Sequence, residues 1–162
     1  VLLASSMGAN VIALDTNEKR LKRAKVFGAK EILNPDKIQN VAEAIKDLTK
    51  GIGAHSSIDA SSSTRARLQS IRCLRTWGKA CFVGEGGEVN IDVSNDLLRR
   101  QITLIGSWTF SKHGQLKCAD YIGDRNIKVD ELFTHEWRLD QAIEAYELFN
   151  KQSYGKGVIY PS

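Results

Sequence analysis

The feature that most constrains this chain is alternation: short, continuously apolar runs recur along it, separated by segments whose apolar residues keep helical spacing. Ala9-Asn10-Val11-Ile12-Ala13-Leu14-Asp15 is the first such run and ends in a carboxylate. A strand this apolar is expected to be buried on both faces, as in a parallel sheet. Asn17 is placed to cap a helix in which Leu21, Ala24, Lys25 and Phe27 hold the helical period until Gly28 stops it. Glu31-Ile32-Leu33 reads as the next strand, and Asn34-Pro35 as the start of a helix with Val41, Ile45 and Leu48 as its stripe and Gly51-Ile52-Gly53 as its exit. Residues 57–60 form a third strand, followed by a helix carrying Leu68, Ile71 and Leu74; residues 79–84 form a fourth and 101–106 a fifth. Strands alternating with helices of about a dozen residues require crossover connections, so the fold class is α/β, a doubly wound parallel sheet of Rossmann type.

The remainder of the chain fits around that frame. Residues 88–93 alternate polar and apolar, as a half-exposed strand or an extended linker does. Beyond Trp108 come a helix around 116–122, an extended stretch 133–137, an amphipathic helix 140–149 and a last strand 157–160. The length of 162 residues, 42% of them hydrophobic, suits one core. The formal charge of +4 is spread among interleaved acids and bases, and the densest basic stretch, 19–25, falls on a helix face. No basic block interleaved with stacking aromatics occurs, so a nucleic-acid partner is not expected. Cys73, Cys81 and Cys118 have no C-x-x-C spacing and read as reduced core thiols of a cytoplasmic protein. No apolar run reaches the roughly 18 residues that span a bilayer, and Val1-Leu2-Leu3-Ala4 lacks a charged leader, so no membrane association is expected.

In a doubly wound sheet, ligands sit outside the carboxyl ends of the strands. The informative residues are then Asp15, Ser61 to Ser63, the loop 83–87 and the segment 106–109. An acid at the end of the first strand suits the two hydroxyls of a ribose and repels an added phosphate, or else merely caps the following helix; sequence position leaves both open. Gly84, Gly86 and Gly87 signal either close backbone approach to a flat ligand or a turn, and Trp77-Gly78 reads as a tight turn with a packed aromatic. His55, His113 and His135 stand at no metal-ligand spacing, so no metal is assigned. Nucleophile-elbow, P-loop and H-E-x-x-H motifs do not occur, and Ser61-Ser62-Ser63 has no base set beside it. The G-x-G-x-x-G loop that precedes the acid-bearing strand of a dinucleotide fold is likewise not in the sequence. Residues 1–8 read as the tail of the helix that follows such a loop, so roughly 15 to 20 residues of a complete βαβ unit are expected ahead of Val1.

Taken in order, Met7-Gly8-Ala9-Asn10-Val11-Ile12-Ala13-Leu14-Asp15, Arg20-Leu21, Phe27-Gly28-Ala29, Ile32-Leu33-Asn34-Pro35, Thr49-Lys50-Gly51-Ile52-Gly53-Ala54, Ile58-Asp59-Ala60-Ser61, Phe82-Val83-Gly84 and Ile105-Gly106-Ser107 resemble the zinc-containing medium-chain alcohol and polyol dehydrogenases. The resemblance covers nearly the whole chain. It implies that Asp15 binds the adenosine ribose of NAD and Arg20 flanks the adenosine end, with Ser61 at the cofactor edge. It further implies that Val83, Gly84 and Glu85 present backbone to the nicotinamide, and that Gly106, Ser107 and Trp108 approach its carboxamide. The strand 102–108, bounded by Ile102 and Trp108, is implied to pair with its twin in a homo-oligomer. On this reading residues 1–136 form a truncated dinucleotide-binding domain, and 137–162 return to a catalytic lobe that would hold the zinc.

The sequence departs from the family at His55, Ser56 and Ser57, which weaken burial of the third strand, and at Ser62, where glycine is common. The expected activity of the parent protein is zinc-assisted oxidation of a secondary alcohol or polyol by NAD, with this chain inactive by itself. The alternatives are a stand-alone binding or self-association module and a zinc-free quinone reductase-like member.

Overall fold

In the computed structural model, which describes residues 1–151 and 154–161, all strand pairs of the described residues are parallel. The chain divides into two compact units, Val1–Asn34 with Ser111–Ser162 and Pro35–Phe110.

The first unit opens with helix α1 (Leu2–Ser6), strand β1 (Ile12–Leu14), helix α2 (Glu18–Val26) and strand β2 (Glu31–Leu33). The α2 helix starts where the Asn17 side chain accepts the backbone N–H groups of Lys19 and Arg20, and Leu21 on its inner face is buried. Residues 12, 13 and 14 pair with 31, 32 and 33. Burial of β1 on both faces is not what the structure shows: Ile12 and Ala13 are half-buried and Leu14 is 39% exposed. The reason is that β2 is the only strand paired with β1 among the described residues, which leaves the apolar run partly open.

The second unit holds α3 (Val41–Leu48), β3 (Ala54–Asp59), α4 (Thr64–Arg72), β4 (Leu74–Phe82) and β5 (Thr103–Gly106), with strand order β3-β4-β5. Its core is Ile71, Leu74 and Ala80, against which Ala54, Phe82, Leu97 and Ile102 pack. Full burial of side chains the size of Ile71 and Leu74 stabilises the fold by about 1.5 to 3 kcal/mol each. As the serines and histidine of β3 lead one to expect, that strand is poorly covered; Ile58 is 71% exposed.

Several boundaries differ from the sequence reading, and those at α3, β4 and residues 88–92 differ for identifiable reasons. The α3 helix begins at Val41, capped by Asn40 accepting the Glu43 N–H, while Pro35 is confined to a single 3-10 turn, Pro35–Lys37. Leu74 opens β4 and does not belong to α4. Residues 88–92 form no strand and lead into a π-helical turn, Val93–Leu97.

At the front of β4 the register jumps from Ala54 opposite Leu74 to Ser56 opposite Lys79. The surplus residues bulge out and carry Trp77, which is 65% exposed with a φ of +63°. Trp77 is therefore not the packed aromatic of a tight turn. Gly78 makes the close contact, since a Cβ there would sit 2.8 Å from the Arg75 carbonyl oxygen.

The first unit is completed by α5 (Lys112–Asp124), β6 (Phe133–Arg138), α6 (Ala142–Asn150) and β7 (Lys156–Tyr160). β6 pairs with β7, and Trp137 is buried edge-on to Phe149 with ring centroids 5.7 Å apart. Of the cysteines only Cys73 is a fully buried core thiol, and burial pushes its pKa up to about 11. Cys81 is half-buried and Cys118 is exposed, contrary to the expectation of core thiols throughout, because α5 is exposed along most of its length.

Candidate functional site

Parallel pairing brings the carboxyl ends of β3, β4 and β5 level: Asp59 lies opposite Phe82, and Phe82 opposite Gly106. The ladder continues one step beyond the strands. The N–H groups of Val83 and Gly84 donate to the Asp59 carbonyl at 2.8 and 3.1 Å, and the Ser107 N–H donates to the Phe82 carbonyl at 3.0 Å. Ser61, Val83, Gly84, Glu85, Gly106, Ser107 and Trp108 are thereby brought to one edge of one sheet, the edge at which ligands of open α/β sheets bind. Val83 and Trp108 are exposed there, at 45% and 76%.

Beneath that edge lies a buried polar network that the sequence did not single out. One carboxylate oxygen of Asp59 accepts the Ser61 hydroxyl at 2.6 Å and the Ser61 N–H at 3.3 Å; the other accepts the Ser62 N–H at 3.3 Å. Arg67, reaching out of α4, brings its Nε to 3.5 Å from Asp59 Oδ2, donates from Nη2 to the Gly84 carbonyl at 2.7 Å, and lies over the Phe82 ring. Both side chains are nearly inaccessible, at 4% for Asp59 and 9% for Arg67. The available signal in the sequence was the charge of Arg67 on the helical face it shares with Ile71, where an apolar residue is expected.

The glycines of the loop now acquire a reason. Ser62 holds a φ of +64°, the conformation a glycine would adopt without cost. A Cβ at Gly84 would stand 2.7 Å from the Ser62 nitrogen, and one at Gly87 would collide with the Ser62 carbonyl oxygen. Their close approach is to the turn 61–63 of the protein itself.

In the first unit, Asp15 follows β1, and its N–H donates to the Leu33 carbonyl of β2 at 3.3 Å. Asp15 does not cap α2, since Asn17 does so; its Oδ1 instead accepts the Asn17 N–H at 2.8 Å, and its Oδ2 lies 3.7 Å from Arg20 Nη1. Asp15 and Arg20 line a cavity of about 350 Å³ together with Leu2, Leu14 and Phe27. A carboxylate 29% exposed in a cleft with apolar walls has the chemistry to accept hydrogen bonds from a diol whose base lies against those walls. A second hollow of about 300 Å³, walled by Trp137, Tyr146, Phe149 and Ile159, has Lys156 as its charged group. Among the described residues no three of His, Cys, Asp and Glu gather as metal ligands, so the donor set does not fit a zinc ion and no step is assigned to one on this chain. Among the described residues no helix is long and apolar enough to cross a membrane.

Residues 1–121 match the zinc-binding dehydrogenase family. The chain is 33% identical over 160 residues to the uncharacterized zinc-type alcohol dehydrogenase-like protein YphC of Escherichia coli (strain K12), covering 98% of this chain and 45% of that protein. It is 28% identical over 166 residues to an L-threonine 3-dehydrogenase of Symbiobacterium thermophilum, covering 99% and 47%. Among solved structures, an alcohol dehydrogenase from Thermotoga maritima superimposes with a TM-score of 0.90 at 30% identity over 100% of this chain and 46% of that one. The chain thus spans a little under half the length of these proteins.

Proposed function

The chain belongs to the zinc-binding dehydrogenase family, and on that premise we propose that it supplies the cofactor-binding surface of an NAD-dependent dehydrogenase acting on a secondary alcohol or polyol. Bound NAD would supply the hydride acceptor for the alcohol; the chain's own part is to hold and orient it. Asp15 accepts hydrogen bonds from the adenosine ribose, flanked by Arg20. Ser61 and the backbone of Val83, Gly84 and Glu85 meet the nicotinamide end, with Gly106, Ser107 and Trp108 beside its carboxamide. The substrate-activating zinc is assigned to none of these residues, so the chain alone is proposed to bind cofactor without turning over an alcohol.

The observation that carries this reading is Asp15: a half-buried carboxylate at the carboxyl end of a parallel strand, opening onto a cavity and relieved of helix capping by Asn17. A binding role is tested by titrating the full chain with NADH and NADPH while following nicotinamide emission. Saturable binding selective for NADH is expected; no saturation up to millimolar NADH overturns the reading.

The partner proposed for the strand 102–108 is a second copy. β5 is hydrogen-bonded to β4 alone among the described residues, and Leu104, Ile105, Trp108 and Phe110 are all exposed. An apolar edge of this kind pairs readily with another strand. Light scattering on the same sample tests it, with a dimer mass expected and a monomer mass overturning it. The location proposed is the cytoplasm, where the free thiols of Cys73, Cys81 and Cys118 stay reduced.

A further inference from the structure

The buried pair Asp59 and Arg67 does more than fill space. Replacing a buried ion pair by apolar residues of similar volume is often neutral or stabilising, so its presence is a weak contributor to stability. Here the cost is raised further: Arg67 Nε is buried and makes no hydrogen bond of good geometry. What the pair does accomplish is geometric. Gly84 is held from both sides, its N–H by the Asp59 carbonyl and its carbonyl by Arg67 Nη2, while the Asp59 carboxylate fixes the turn at Ser61 and Ser62 on which Gly84 and Gly87 rest. The strip 83–85 and the turn 61–63 are thus one assembly with Arg67 at its centre, and Ser62 carries a left-handed backbone within it.

We propose that Arg67 is a positioning residue for the cofactor: by gripping the Gly84 carbonyl and pairing with Asp59, it sets the backbone against which the nicotinamide half of a dinucleotide lies. This rests on the reading that residues 83–85 face the nicotinamide, and it adds a side chain and a mechanism that the family resemblance did not supply. Arg67 itself touches no ligand. It acts through Gly84, so it governs the nicotinamide half and leaves the adenosine half untouched.

The test compares NADH with ADP-ribose, which lacks the nicotinamide, on the full chain and on Arg67→Met, Arg67→Lys and the double variant Asp59→Asn with Arg67→Met. Arg67→Met is expected to bind NADH roughly tenfold more weakly or worse, because the ligand must then itself order the strip that Arg67 otherwise holds in place, at the entropic cost of fixing one or two backbone residues. Its affinity for ADP-ribose is expected to be unchanged and the emission of its bound NADH to move toward that of free NADH. Arg67→Lys, which keeps the charge and one donor, is expected to recover part of the loss. Where Arg67→Met strands the Asp59 charge and unfolds, the double variant carries the same comparison with no buried charge left behind. Equal losses for NADH and ADP-ribose, or NADH binding unchanged in the variants, overturn the positioning role alone. A wild-type chain that binds neither ligand overturns the cofactor reading beneath it.

Discussion

Asp96 grips Arg72 with a two-pronged hydrogen bond, Nε to Oδ1 at 2.9 Å and Nη2 to Oδ2 at 3.2 Å, and so ties the turn 93–97 to helix α4. Asp96 is buried and also accepts the Asp92 N–H at 3.0 Å, while the Arg72 side chain is half exposed. These hydrogen bonds, that from Arg72 foremost, hold the Asp96 carboxyl below the usual carboxylate range. A carboxylate whose folded pKa is depressed lends stability that is complete above its unfolded pKa of about 3.9 and is lost as pH falls through the folded value. Asp96→Asn is therefore expected to cost about 1 to 2 kcal/mol near neutral pH, discounted for the exposure of Arg72. In urea melts the gap between wild type and variant should narrow steadily below about pH 4. A gap independent of pH would show that packing, and not charge, holds the turn.

Trp77 is an exposed, bulky residue in the left-handed region, where an L side chain costs about 1 to 2 kcal/mol. Glycine removes that cost but enlarges the entropy of the unfolded chain by about 0.5 to 1 kcal/mol. Trp77→Gly is expected to leave stability unchanged or raise it by up to about 1 kcal/mol. Loss of stability by more than that amount in chemical denaturation would mean that the indole makes contacts outside this bulge.

Gly86 and Gly87 both have positive φ but stand in different surroundings: a Cβ at Gly86 meets nothing within 4 Å, and one at Gly87 meets the Ser62 carbonyl. Gly86→Ala should then cost only the conformational penalty of about 1 kcal/mol. Gly87→Ala adds a backbone collision and is expected to cost at least about 2 kcal/mol, since neither the turn 61–63 nor the loop can give way cheaply. Thermal melts of the two variants side by side check the ranking, and equal melting temperatures would contradict the packing of the loop onto Ser62.

What the sequence made legible was local. The apolar run 11–14, the Asn17 cap and the stripe of Val41 and Ile45 are each encoded within a few residues, and the structure forms the elements they announce. Asn34 and Asn40 are both able to cap, and only the structure shows that Asn40 does; Asn34 instead donates its side-chain N–H to the Thr16 carbonyl and to Glu18. The site divided in the same way. Strand-end positions such as Ser61, Val83 and Ser107 follow from the period of the fold, whereas the link from Arg67 to Gly84 spans 17 positions and joins a helix to a loop. No periodicity records such a contact. Its only trace in the sequence is a charge standing where the helix face calls for an apolar side chain.

Asp15 and Arg20 present opposite charges to one cavity, 3.7 Å apart, and on the cofactor role proposed for them the choice between nucleotides turns on Asp15. A dinucleotide with free ribose hydroxyls suits the carboxylate; one bearing a phosphate on that ribose is repelled by Asp15 yet attracted by Arg20. Asp15→Ser keeps a hydrogen-bonding oxygen to accept the Asn17 N–H and removes the repulsion, leaving Arg20 to meet the phosphate. The expected outcome is a loss of NADH preference over NADPH by about tenfold or more, through weaker NADH binding and stronger NADPH binding together. Arg20→Ala should act oppositely, weakening NADPH further. Parallel titrations of the three chains with both nucleotides decide the matter: if Asp15→Ser weakens both equally, Asp15 serves only to order the start of α2, and the ribose is held elsewhere.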